Sequence, residues 1–143
     1  MNSTIEKFGY PDTLVATVGL WTVLLRPQQP TLGALVLAAA DEATAFPDLP
    51  PTAFGQLADA TRAIESSLRG AFRYDRINYL MLMMVDPHVH FHVIPRYAEP
   101  KDFAGKSFPD PGWPGPPDLK AVTRTTPDDN TAIRDHVRQH WPK

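Results

Sequence analysis

Three of the chain's five histidines, His88, His90 and His92, stand at alternate positions in Asp86-Pro87-His88-Val89-His90-Phe91-His92-Val93-Ile94-Pro95-Arg96. Imidazole changes charge near neutral pH, so such a row offers nucleophilic attack, proton transfer or metal ligation. Period-two alternation is the pattern of a β-strand, whose successive side chains point to opposite faces. The three rings are expected on one face, roughly 6.5–7 Å apart by strand rise, with Val89, Phe91 and Val93 turned to the core. A metal site would take His88 with His90, or His90 with His92, and a carboxylate such as Asp86.

A histidine strand needs a sheet to hold it. Residues 1–10 read as a polar arm carrying Phe8 and Tyr10. Leu14-Val15-Ala16-Thr17-Val18 and Leu20-Trp21-Thr22-Val23-Leu24-Leu25 have strand composition, with Gly19 as the turn of a hairpin or a bulge. Arg26-Pro27-Gln28-Gln29-Pro30-Thr31 reads as a loop, since proline lacks the ladder donor. Gly33-Ala34-Leu35-Val36-Leu37-Ala38 resumes as a buried strand. Pro50-Pro51 opens a helix over about 51–70, because Phe54, Leu57, Ala58, Thr61, Ile64 and Leu68 recur at steps of three or four.

Arg76 to Val85 is expected to be a strand apolar on both faces, hence central, and Asp86-Pro87 to fold the histidine strand back against it. After Tyr97 the composition changes: seven of the 16 prolines lie between Pro95 and Pro117. Residues 98–126 read as a loop wrapped on the body by Phe103, Phe108 and Trp113. Thr126-Pro127-Asp128-Asp129 starts a final helix reaching about His140.

The 143 residues suit one domain, 1–143, with a core at about 13–97 and an extension at 98–143. The expected fold is α+β: a mostly antiparallel sheet of about five strands, a helix on one face, and a proline-rich carboxy-terminal extension with a helix. Fourteen Lys and Arg against 16 Asp and Glu give a net charge of −2, which leaves no basic footprint for nucleic acid. Without cysteine there is neither a disulfide framework nor a thiolate zinc site. Met1 to Lys7 lacks a signal-peptide pattern, and no uncharged apolar run approaches the ~20 residues of a membrane span. The expectation is a cytoplasmic protein with no membrane partner.

Strand order together with His88-Val89-His90-Phe91-His92-Val93-Ile94 resembles the histidine-triad family of nucleotide hydrolases and transferases, over residues 20–97, and within it members like bacterial diadenosine-tetraphosphate hydrolases. The resemblance implies a small-molecule nucleotide as partner, a homodimer, and no metal or other cofactor. It makes His90 the nucleophile at the α-phosphorus of a dinucleoside polyphosphate or nucleoside phosphoramidate. His88 and His92 would flank the phosphate. It also assigns Asn78 and Arg96 to the substrate. Where members carry a glycine and a polar residue before the triad, this chain has Met83-Met84-Val85-Asp86-Pro87. Where they carry a ribose-binding acid after the second strand, it has Val23-Leu24-Leu25-Arg26, leaving Gln28 or Gln29 to substitute. Two other readings of the same motif are a metal-dependent hydrolase or metal-binding protein, and a non-catalytic nucleotide-binding module.

Overall fold

The computed structural model describes residues 1–143. Its sheet is built by β1 (Leu14–Val18), β2 (Trp21–Leu25), β3 (Leu35–Ala39), β4 (Arg76–Leu80) and β5 (His90–Arg96), all antiparallel, in the order β1-β2-β3-β5-β4. Gly19 supplies the positive φ, 57°, that the β1–β2 turn requires. β2 and β3 are buried along their whole length, as their near-continuous apolar composition demands.

One face of this sheet carries the main core. Trp21, Val23, Leu35, Leu37 and Val93 pack there beneath the helix α2 (Thr52–Phe72), which contributes Ala53, Ala60, Ile64 and Leu68. The Trp21 indole donates to the Ala53 carbonyl at 2.8 Å, so its polar atom does not go unpaired under the helix. The other face is covered by a short amino-terminal helix, α1 (Ser3–Lys7), whose Ile5 meets Leu24, Val36 and Ala38. The residues read as an arm are therefore docked. Asn2 makes this possible: it caps α1 through the Ile5 amide and donates to the carbonyls of Ala39 and Asp41.

The expected central strand over 76–85 is corrected on two counts. β4 ends at Leu80 and lies at the sheet edge, with residues that are partly buried or exposed. The register pairs Leu80 with His92, so residues 81–89 form the connection, where Asp86-Pro87 alone was expected to turn the chain. An apolar run specifies burial only if the ladder continues. Here Met83 adopts φ 47° and Met84 and Val85 are 86% and 80% exposed.

The extension is also more ordered than a loop. Residues Lys101–Phe103 (β6) and Lys106–Phe108 (β7) form a hairpin, turned by Ala104 and Gly105, both at positive φ. The final helix, α3 (Pro127–Gln139), starts with the capping box that its sequence announces, Thr126 and Asp129 bonding each other's backbone amides. Ile133 and Val137 bring α3 into the main core beside Phe108. No helix is long and apolar enough to cross a membrane.

Candidate functional site

β5 lies between β3 and β4, so the backbone at His92 is paired on both sides, while that at His90 is paired on the β3 side. His90 stands opposite Ala38 and His92 opposite Val36, which places both rings on the α1 face. Val93 points the other way, into the main core, as the alternation requires. The two imidazole centroids are 5.1 Å apart, and the Phe8 ring lies 5.8 Å from each. His90 is 1% exposed and His92 8%.

Together these residues wall a cavity of about 320 Å³. Lys7 and Phe8 form one side, Arg26 and Gln28 another, and Leu82 to Asp86 the mouth. Asp86 is the acid of this wall, and its carboxylate accepts from Lys7 Nζ at 2.6 Å. No group of three or more His, Asp or Glu side chains is arranged to hold a metal ion.

The hydrogen bonds set the state of each imidazole. His90 Nδ1 lies 2.7 Å from the His88 carbonyl, a contact only a protonated Nδ1 can make, so in the neutral ring Nε2 keeps its lone pair. His92 is the reverse. Arg26 Nε–H approaches its Nδ1 at 3.4 Å, and a guanidinium can only donate, so the neutral ring carries its proton on Nε2. Burial first, then the charges of Arg26 and His90, push the His92 pKa down to about 4. With both rings neutral, the pair is one lone-pair nitrogen beside one N–H donor.

His88 does not line this cavity. It precedes β5, and its ring is held between Thr4 Oγ1 at 2.8 Å and Glu42 Oε2 at 3.1 Å. Its contribution at the cavity is the backbone carbonyl that fixes His90. Asn78 and Arg96 do share the histidine face, Arg96 at the end of β5 and Asn78 on the neighbouring β4. They line a separate cavity of about 590 Å³, closed by residues Trp113, Pro114, Gly115 and Pro116. Arg96 donates to Asp110 at 2.7 Å, to Asn78 Oδ1 at 2.8 Å and to the Gly115 carbonyl at 2.9 Å, which leaves Asn78 Nδ2 free. Gln28 is at the histidine cavity, whereas Gln29 is buried and knits its own loop through Arg26, Gly33 and Ala34.

Arg26, Lys7 and Phe8 did not stand out in the sequence as site residues. For Arg26 the signal lies in the alternation Thr22, Leu24, Arg26, which continues the α1 face past the end of β2. It becomes readable only once β2, β3 and β5 are known to be successive neighbours.

A HIT domain model matches residues 11–99. Among curated protein sequences none matches the chain significantly. A histidine triad protein of Sinorhizobium meliloti superposes with a TM-score of 0.76 at 20% identity, over 99% of this chain and 96% of that one. One from Marinobacter aquaeolei gives 0.71 at 22% identity, over 95% and 93%. A zinc-bound histidine triad family protein of Mycobacterium smegmatis gives 0.58 at 17% identity, over 94% and 90%. With the family model spanning more than half of the sequence and its histidine strand walling the cavity, the chain belongs to the histidine triad family, whose members bind small nucleotides and generally act on them as hydrolases or transferases.

Proposed function

We propose that the protein is a nucleotide hydrolase or nucleotidyl transferase working through a covalent nucleotidyl-His90 intermediate, on a dinucleoside polyphosphate or nucleoside phosphoramidate. The observation that carries this reading is the 2.7 Å contact from His90 Nδ1 to the His88 carbonyl, which leaves Nε2 as the free nucleophile. Nε2 attacks the α-phosphorus. A P–N bond forms, the bond to the leaving group breaks, and the leaving group departs with the electron pair and takes up a proton from solvent, to which the water of the second step returns one. The ring is then a cation, and its Nδ1–H donation to the carbonyl becomes a charge-assisted bond, stronger than in the resting enzyme. Water attacks the same phosphorus in the second step, the P–N bond breaks, and nucleoside monophosphate leaves with neutral His90 restored. His92 Nε2–H donates to a non-bridging oxygen throughout. Gln28 and the free amide of Asn78 are assigned to other parts of the substrate, and Arg96 to holding Asn78.

The zinc-bound relative from Mycobacterium smegmatis is the strongest ground for a metal reading. Against it, Asp86 is already committed to Lys7 here. The test is turnover of a labelled dinucleoside polyphosphate or adenosine phosphoramidate with a chelator present, followed by acid-free quenching and mass analysis. An adduct on the peptide containing His90, and its disappearance with activity in His90→Ala, is the expected result. Full turnover by His90→Ala overturns the nucleophile. Loss of turnover on chelation favours the metal reading, and binding without turnover favours a nucleotide-binding module. The proposal extends to a cytoplasmic homodimer, for which the unpaired edge of β4 supplies a surface; a monomeric mass in sedimentation overturns the dimer.

A further inference from the structure

We infer that Arg26 is the residue that grips the phosphoryl group in the histidine cavity. The inference rests on the proposed reading in one respect, that the acidic group entering the cavity is the one His90 attacks. Three observations lead to it.

First, Arg26 is a partly buried cation without a counter-ion. None of the chain's ion pairs includes it, although Lys7, Arg96, Lys106, Arg134 and Arg138 all have carboxylate partners. A guanidinium withdrawn from water and left unpaired is costly, and the cost is relieved by an anion arriving beside it. Second, the side chain is fixed but not used up. Nη1 donates to the Gln28 carbonyl at 2.8 Å and Nε faces His92, while Nη2 makes no hydrogen bond within the chain. That leaves the planar fork with N–H groups free for a phosphate. Third, the cavity offers few other donors. Leu82, Met83, Met84 and Val85 bring apolar side chains to its mouth, and Lys7 is engaged by Asp86. A smaller depression of about 250 Å³, lined by Lys7, Phe8, Arg26, Pro27 and Gln28, adjoins the cavity. Arg26 lines both, and His92 lines the histidine cavity beside it.

The competing role is a latch, in which Arg26 only ties the Arg26–Gln29 turn together. Phosphate binding separates the two. Inorganic phosphate is titrated into the protein at constant ionic strength while the ring signals of His90 and His92 are followed by NMR. The wild type is expected to saturate, and Arg26→Gln to bind about tenfold to a hundredfold more weakly, the worth of a charge-assisted hydrogen bond or two. Arg26→Lys, which keeps the charge and loses the fork, is expected to fall between them. An unchanged titration in a folded Arg26→Gln, or no saturable shift in the wild type, overturns the inference.

A measurement on the wild type covers the case in which the variants do not fold. Phenylglyoxal modification is mapped by mass with and without phosphate. Protection of Arg26, with no protection of the exposed Arg62, is expected, and equal modification overturns the inference. The two proposals fail separately. Phosphate held through Arg26 without any His90 adduct removes the nucleophile and leaves the grip, whereas an adduct formed at full rate in Arg26→Gln does the reverse.

Discussion

Lowering the pH from 7 to 5 should destabilise this protein through His92, by an amount that can be worked out. The ring has a pKa of about 4 in the folded chain against about 6.5 in the unfolded one. The unfolded state therefore binds the proton first, and folding stability falls as the pH drops below about 6.5, reaching its full loss near 4. At pH 5 the two pKa values give a loss of about 2 kcal/mol as an upper bound. Water entering the cavity screens the ring, so about 1 to 2 kcal/mol is the range to expect. His92→Asn keeps an acceptor for Arg26 and cannot titrate, which makes it the reference. Urea unfolding of both proteins at the two pH values isolates the effect, since the carboxylates are common to both. The wild type should lose about 0.5–1 M more of its midpoint than the variant, for a slope near 2 kcal/mol per molar. Equal losses, or a His92 ring signal that titrates near 6.5, would refute the reasoning. The same shift implies that the acid limb of any activity profile above pH 5 belongs to a group other than His92.

Other outcomes follow from particular contacts. Phe8→Ala uncovers the imidazole pair, so the His92 pKa should move up toward its ordinary value, read from the ring signal. Asp110→Ala strands the Arg96 guanidinium, 5% exposed, and should cost about 3–5 kcal/mol in chemical unfolding, much of it recovered if Arg96→Met is added. Ile5→Ala empties a fully buried site between α1 and the sheet and should cost about 2–4 kcal/mol, with weakened phosphate binding at the cavity α1 helps to wall. Thr126→Ala removes half of a capping box and should lower the unfolding free energy by about 1 kcal/mol without touching the site.

What could be read from the sequence and what could not divides along a physical line. The histidine strand, the β1–β2 hairpin at Gly19, α2 and the capped α3 are local: each is set by periodicity, a turn residue or a cap within a few positions. The edge position of β4 is not local, because the apolar run Ile77 to Val85 has the composition of a buried strand and only the pairing with β5 ends it at Leu80. The docking of α1 depends on Asn2 reaching Ala39 and Asp41, partners remote in sequence. His88 was expected at the phosphate from the family resemblance. The ring of His88, two residues before β5 begins, leaves the cavity and finds Thr4 and Glu42. Arg26 looked like a loop charge before a proline until the sheet order brought it beside His92.

The central place of β5 also governs how the molecule must assemble. β1, β2 and β3 form a meander from neighbouring stretches of chain, and loops of that kind close quickly. β5 joins β3 across more than fifty residues, and β4 touches the sheet only through β5. The strand that bears the histidines is thus the long-range step on which closure of the sheet depends. Substitutions in it should slow refolding as well as alter chemistry, whereas substitutions in the β1–β2 hairpin should leave that late step alone. A loss of activity in a β5 variant is therefore informative about His90 or His92 only when the refolded fraction has been measured alongside it.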